Sequence, residues 1–107
     1  MFNSHLILSV EGHFTAANIV SVRKTFEEIT LEVDNTLLFD LSKTQHIDSS
    51  GIGMLVYIYK RIKRRRRTMV LLGLHGQPQR LCNKLHIGRF IQCMDSQESF
   101  FKQQDLS

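Results

Sequence analysis

The chain has 107 residues, 42% of them hydrophobic and 22% charged, a balance suited to one globular domain with a single core spanning 1–107 and leaving no room for a second. Its formal net charge of +4 is misleading: Lys60, Arg61, Lys63 and Arg64 to Arg67 hold half of the fourteen basic residues, leaving seven basic against ten acidic residues elsewhere. No run approaches the roughly 18 apolar residues of a membrane span, and "MFNSHLILSVEG" lacks the basic start and small-residue cleavage site of a secretory signal, so a cytoplasmic location is expected.

In chain order, "LILSV" at 6–10 is a short aliphatic run expected to form a strand. Residues 15–33 place Ile19, Val22, Phe26 and Ile29 at helical spacing, with Thr15 as N-cap. "NTLLFDLS" at 35–42 is nearly continuous apolar, as a strand buried on both faces requires. Residues 50–66 read as a helix, "TMVLLGL" at 68–74 as another buried strand, and Pro78 as part of the first turn of a helix ending near Leu85. "RFIQCM" at 89–94 is expected to be a last strand and "SQESFFKQQ" a terminal helix. Strands alternating with helical crossovers imply an α/β fold, with a mixed or largely parallel sheet of about four strands packed against helices. Cys82 and Cys93 have no CxxC or His-rich spacing, so buried reduced thiols are expected rather than a disulfide or a metal site, and nothing calls for a cofactor.

The stretch "IDSSGIG" at 47–53 sits at a strand-to-helix junction and admits four meanings: a helix cap, a nucleophile, a phosphate cradle or a site of modification. Ser49 or Ser50 suits an N-cap. A serine nucleophile needs a base and an orienting group or a GxSxG elbow, and the five histidines are scattered along the chain. A phosphate-binding loop would need more than "GIG", and no Gly-Lys-Ser/Thr follows. A phosphoserine at a helix N-terminus is favoured by free N–H groups and the macrodipole, so the fold should tolerate its charge of about −1.5 to −2, while docking of a partner should not. An enzyme is not expected. At 100° per residue, Ile52, Leu55, Val56, Tyr59 and Ile62 fall on one face, assigned to the core, which leaves Met54 and Tyr57, flanked by Ile58, as an expected exposed apolar patch beside Asp48 and the serines.

The run "LLFDLSKTQHIDSSGIGMLVYIYKRIKRRRRTMVLLGL", followed by "PQRLCNKLHIGRF", resembles the STAS domain of bacterial anti-sigma factor antagonists over residues 6–93. The resemblance implies a STAS-like fold and a protein that binds a GHKL-type serine kinase acting as anti-sigma factor. That kinase would phosphorylate the serine after the aspartate, which releases the partner, and a PP2C-type phosphatase would reverse it. Carried over, the acceptor is Ser49, with Ser50 as the second hydroxyl, and Gly51, Ile52, Gly53 and Met54 adjoin the contact surface. The family's further strand before "LILSV" would fall on residues 1–5, and the acidic residue near the kinase interface has only Glu11 in "EGHFTA" as a counterpart. A second implied role is a STAS subunit of a transport assembly, packed on a transporter ATPase. Arg64, Arg65, Arg66 and Arg67 admit three readings: a solvated helix end, a dock for an acidic protein, or a non-specific polyanion site for nucleic acid or anionic lipid without base-reading elements.

Overall fold

The computed structural model describes residues 5–106. The elements run β1 (His5–Ser9), β2 (Gly12–Phe14), α1 (Ala16–Thr30), β3 (Thr36–Asp40), β4 (Thr44–Ile47), α2 (Ser49–Arg64), β5 (Thr68–Leu72), α3 (Gly76–Lys84), a single 3-10 turn, β6 (Gln92–Met94) and α4 (Gln97–Leu106). β1, β3, β5 and β6 form a four-stranded sheet in that order, and β2 pairs with β4 in a separate two-stranded ribbon. The α/β expectation holds, with one refinement. All four strand pairings are parallel rather than mixed, because a helix carries the chain back to the same end before each sheet strand begins. A strand preceding β1 would fall largely on residues 1–4, outside the described residues.

The continuous apolar runs of β3 and β5 follow from burial on both faces. Leu37, Phe39, Met69 and Leu71 pack with Ile19 and Phe26 of α1, Leu55 and Ile58 of α2 and Cys82 of α3, whereas Leu38, Val70 and Leu72 point the other way, onto Phe100 of α4. β1 is an edge strand, where Leu6 and Leu8 face the main core and Ile7 stays partly exposed. The short strands β2 and β4 were not anticipated; at three and four residues, "GHF" and "TQHI" are too short to show an alternating pattern. Their register, His13 opposite His46 and Phe14 opposite Ile47, brings the starts of α1 and α2 together. Cys82 is buried as expected, its thiol pushed up to about 11 by burial and secondarily by Cys93. Cys93 is exposed instead, because β6 closes the edge of the sheet, and burial of its sulfur still raises its pKa.

Candidate functional site

The junction between β4 and α2 is organised by Asp48. Its backbone is extended (φ −112°, ψ −174°), the N-cap conformation, and its Oδ1 accepts a hydrogen bond from the Gly51 N–H at 2.9 Å. Its Oδ2 accepts from the Ala16 N–H, the first of α1, at 3.1 Å, so one carboxylate caps both helices. α1 and α2 both return antiparallel to the strands and therefore run parallel to each other, with their positive N-terminal dipole ends side by side; a shared anion there is favourable. The Gly51 and Ala16 N–H groups, with Ser50 adding, hold the Asp48 carboxyl below the usual carboxylate range. Thr15 occupies the N-cap of α1 as expected, but its side chain makes no capping bond, since Asp48 supplies the acceptor.

The cap expected at Ser49 or Ser50 is thus Asp48, one residue earlier, because a carboxylate offers two acceptor oxygens to two helices and a hydroxyl does not. Ser49 is the first residue of α2 and Ser50 the second, and both are exposed. Among the described residues neither hydroxyl makes a hydrogen bond and no histidine bonds to either; His75 instead places Nε2 2.8 Å from the Ser42 carbonyl oxygen. The site therefore presents two free hydroxyls at the end of a helix whose first N–H groups face solvent or Asp48.

Two contacts fix the backbone beneath them. Gly51 is buried where α2 crosses the β2–β4 ribbon: a Cβ there would collide with the Phe14 carbonyl oxygen and lie 2.5 Å from Ile47 Cγ1. Gln77 of α3, which the sequence did not single out, bonds both backbone groups of Ile47, accepting from its N–H at 2.8 Å and donating to its carbonyl at 2.8 Å. It completes the free edge of β4 as a neighbouring strand would, two residues before Ser49. Its position next to Pro78 in the first turn of α3 was the available signal.

The expected exposed patch on α2 is corrected. Met54 and Ile58 are buried, at 5% and 0% exposure, as are Gly51 and Ile52; Tyr57 is half-buried and only Gly53 of that set is open. Of the assigned core face, Ile52, Leu55 and Ile62 are buried while Val56 and Tyr59 are half-buried. The helix packs against α1 as well as the sheet, and two contacts set at an angle bury a wider arc than one stripe. Between the two helices an open groove of about 340 Å³ is lined by Ile19, Val20 and Arg23 on one side and Ser50, Gly53, Met54 and Tyr57 on the other.

The basic run has a structural part. Arg65 Nη1 donates to the Thr30 carbonyl at 2.6 Å and Arg61 Nε to the Thr30 hydroxyl at 3.1 Å, tying the end of α2 to the end of α1, where both dipoles are negative. Arg66 adopts φ +58°, with its N–H bonded to the Lys63 carbonyl and the Arg67 N–H to the Ile62 carbonyl. This is the Schellman termination that ordinarily uses glycine. Arg64 and Arg66 remain exposed. Glu11 is exposed and pairs with Lys43 at 3.6 Å. Among the described residues no helix is long and apolar enough to cross a membrane.

Comparison with known proteins bears on the family and the fold. The family model described as STAS domain matches residues 2–100. The chain is 29% identical over 77 residues to the anti-sigma-B factor antagonist of Listeria monocytogenes, covering 72% of this chain and 68% of that protein. It is also 29% identical over 76 residues to the putative sulfate transporter YvdB of Bacillus subtilis, covering 71% of this chain and 14% of that one. Among solved structures, a putative anti-sigma factor antagonist of Thermotoga maritima superposes with TM-score 0.83 at 21% identity, covering 92% of this chain and 86% of that one. The Bacillus cell fate determinant SpoIIAA in its phosphorylated form superposes with TM-score 0.70 at 12% identity, covering 94% and 92%.

Proposed function

The chain belongs to the STAS domain family, and from that premise we propose that it is a non-enzymatic, cytoplasmic regulator of the anti-sigma factor antagonist type, switched at Ser49. Unphosphorylated, it binds a GHKL-type serine kinase that serves as anti-sigma factor or a related regulator. Phosphorylation of Ser49 releases it, and a PP2C-type phosphatase restores it. The observation that carries this reading is the exposed, unbonded Ser49 hydroxyl at the first position of α2, directly after an aspartate already committed to both helix ends. A phosphate there lies at the positive dipole ends of two helices, so the fold accepts it. A docked partner has to desolvate the new dianion beside Asp48, and affinity falls. The similarity to the Listeria antagonist supports the same class.

The test is phosphate incorporation from ATP by the GHKL-type serine kinase of the source genome, mapped by mass spectrometry on the wild type, Ser49→Ala and Ser50→Ala. Labelling lost only in Ser49→Ala supports the assignment; undiminished labelling of Ser49→Ala overturns it. A second reading, a STAS subunit packed on a transporter ATPase, draws on the similarity to YvdB. Pulldown of an ABC ATPase in place of a soluble serine kinase would favour it.

A further inference from the structure

The parallel packing of α1 and α2 leaves a seam with a pocket at each end, divided by the Tyr57–Glu27 and Arg61–Thr30 contacts, whose chemistry changes along its length. Positions 16, 20, 23 and 27 of α1 with its C-cap residue 31, and 50, 53, 57, 61 and 64 of α2, recur at three- or four-residue spacing, so each set forms one stripe and the two stripes face across the seam. At the end near the serines lies the apolar groove of about 340 Å³, walled by Val20, which is 83% exposed. In the middle the Tyr57 ring is flanked by two guanidiniums, with Arg23 Cζ 5.5 Å and Arg61 Cζ 5.6 Å from its centroid. At the far end Arg61, Arg64 and Arg65 surround a second pocket of about 160 Å³ beside Leu31, which is 59% exposed. Gly53 to Arg64 spans three turns, about 16 Å.

The charges on this seam are unevenly answered. Arg23 pairs with Glu27 at 3.2 Å, and Glu27 also accepts from the Tyr57 hydroxyl at 3.3 Å, so the middle is close to neutral. Arg61 and Arg65 are held by the hydroxyl and carbonyl of Thr30, and the ion pairs among the described residues, Arg23–Glu27 and Lys43–Glu11, include neither. Two guanidiniums are therefore already ordered by neutral groups while their charge has no carboxylate partner. A carboxylate arriving from outside does not have to immobilise them, so less side-chain entropy is lost on binding.

We propose that the α1–α2 seam docks an acidic amphipathic helix of a protein partner, about three turns long, with apolar side chains in the groove beside Val20 and carboxylates over Arg61, Arg64 and Arg65. Charge complementarity at one end and apolar surface at the other select this occupant, and a helix laid in a groove matches the length and shape. The inference rests on the functional reading above only for the partner being a protein. The seam takes its occupant whether or not Ser49 is the acceptor.

The experiment uses the unphosphorylated full chain, so its failure leaves the Ser49 assignment untouched. A 14-residue peptide with leucines at helical spacing flanked by glutamates is titrated into ¹⁵N-labelled protein, with its glutamate-to-glutamine analogue as control. Saturable shifts confined to seam residues such as Val20, Gly53, Tyr57 and Arg64 are expected. Arg64→Gln and Val20→Glu, both at exposed positions outside the hydrogen bonds described, should each weaken binding about tenfold or more, as should the glutamine analogue and added salt. The proposal is overturned by the absence of saturable seam shifts or by equal binding of the glutamine analogue. It is equally overturned if seam shifts arise with phosphatidylglycerol vesicles and not with the peptide, or if sedimentation shows a dimer of this chain covering the seam.

Discussion

The two glycines of "DSSGIG" lie two positions apart, yet replacing each by alanine should move stability in opposite directions. At Gly51 the added Cβ meets the Phe14 carbonyl oxygen, a backbone atom, and Ile47 Cγ1 at 2.5 Å. Neither neighbour yields easily, because Phe14 and Ile47 pair with each other across the ribbon and Gln77 holds both backbone groups of Ile47. Overpacking of this kind costs about 1–3 kcal/mol. At Gly53 a Cβ has nothing within 4 Å, so alanine there only removes the glycine penalty in a helix, a gain of about 0.5–1 kcal/mol. The two variants should thus differ by roughly 1.5–4 kcal/mol, or about 10- to 700-fold in the folding equilibrium constant. Urea unfolding followed by circular dichroism measures this, provided the slope stays constant between variants. If Gly51→Ala proved neutral, or both variants shifted in the same direction, the close crossing of α2 over the ribbon would be refuted.

Met54→Lys should unfold the protein or destabilise it by more than about 3 kcal/mol, whereas Met54→Leu should stay within about 1.5 kcal/mol; thermal melts separate this buried position from an exposed contact residue. Arg66→Gly should stabilise by about 0.5–1 kcal/mol by relieving a left-handed backbone, and Arg66→Val should destabilise, as read by the same urea titration. Burial would raise the Asp40 carboxyl, but hydrogen bonds from Ser42 and Gln97 and the Lys43 charge outweigh it and leave it lowered, as Asp48 is. Carboxylates depressed in the folded state contribute stability that is complete above about pH 4 and lost as pH falls through their folded values. Melting temperature should therefore drop on acidification below about pH 4, and the drop should shrink in Asp48→Asn. Ser49→Asp should fold like the wild type yet bind its partner more weakly, and unchanged affinity by calorimetry would count against the charge mechanism.

Much of the molecule was legible from local pattern. The long apolar runs of β3 and β5 and the helical spacing of α1 are properties of consecutive residues, so their types and order could be read directly. The resemblance carried by "DSSGIG" in its strand-to-helix setting located the candidate site. What the chain could not reveal by itself depends on contacts between distant segments. The Asp48 cap on Ala16 joins residues 32 positions apart, and Gln77 reaches Ile47 across 30. The phase of α2 placed Met54 and Ile58 outside because periodicity assumes a single buried stripe, and only the packing of α1 shows that there are two. The arginine run likewise read as one block of charge. The fold divides it into Arg61 and Arg65, bonded to Thr30, Arg66, bent into a helix stop, and Arg64, left facing solvent, because a charge pattern does not say which cations stand beside the end of a neighbouring helix.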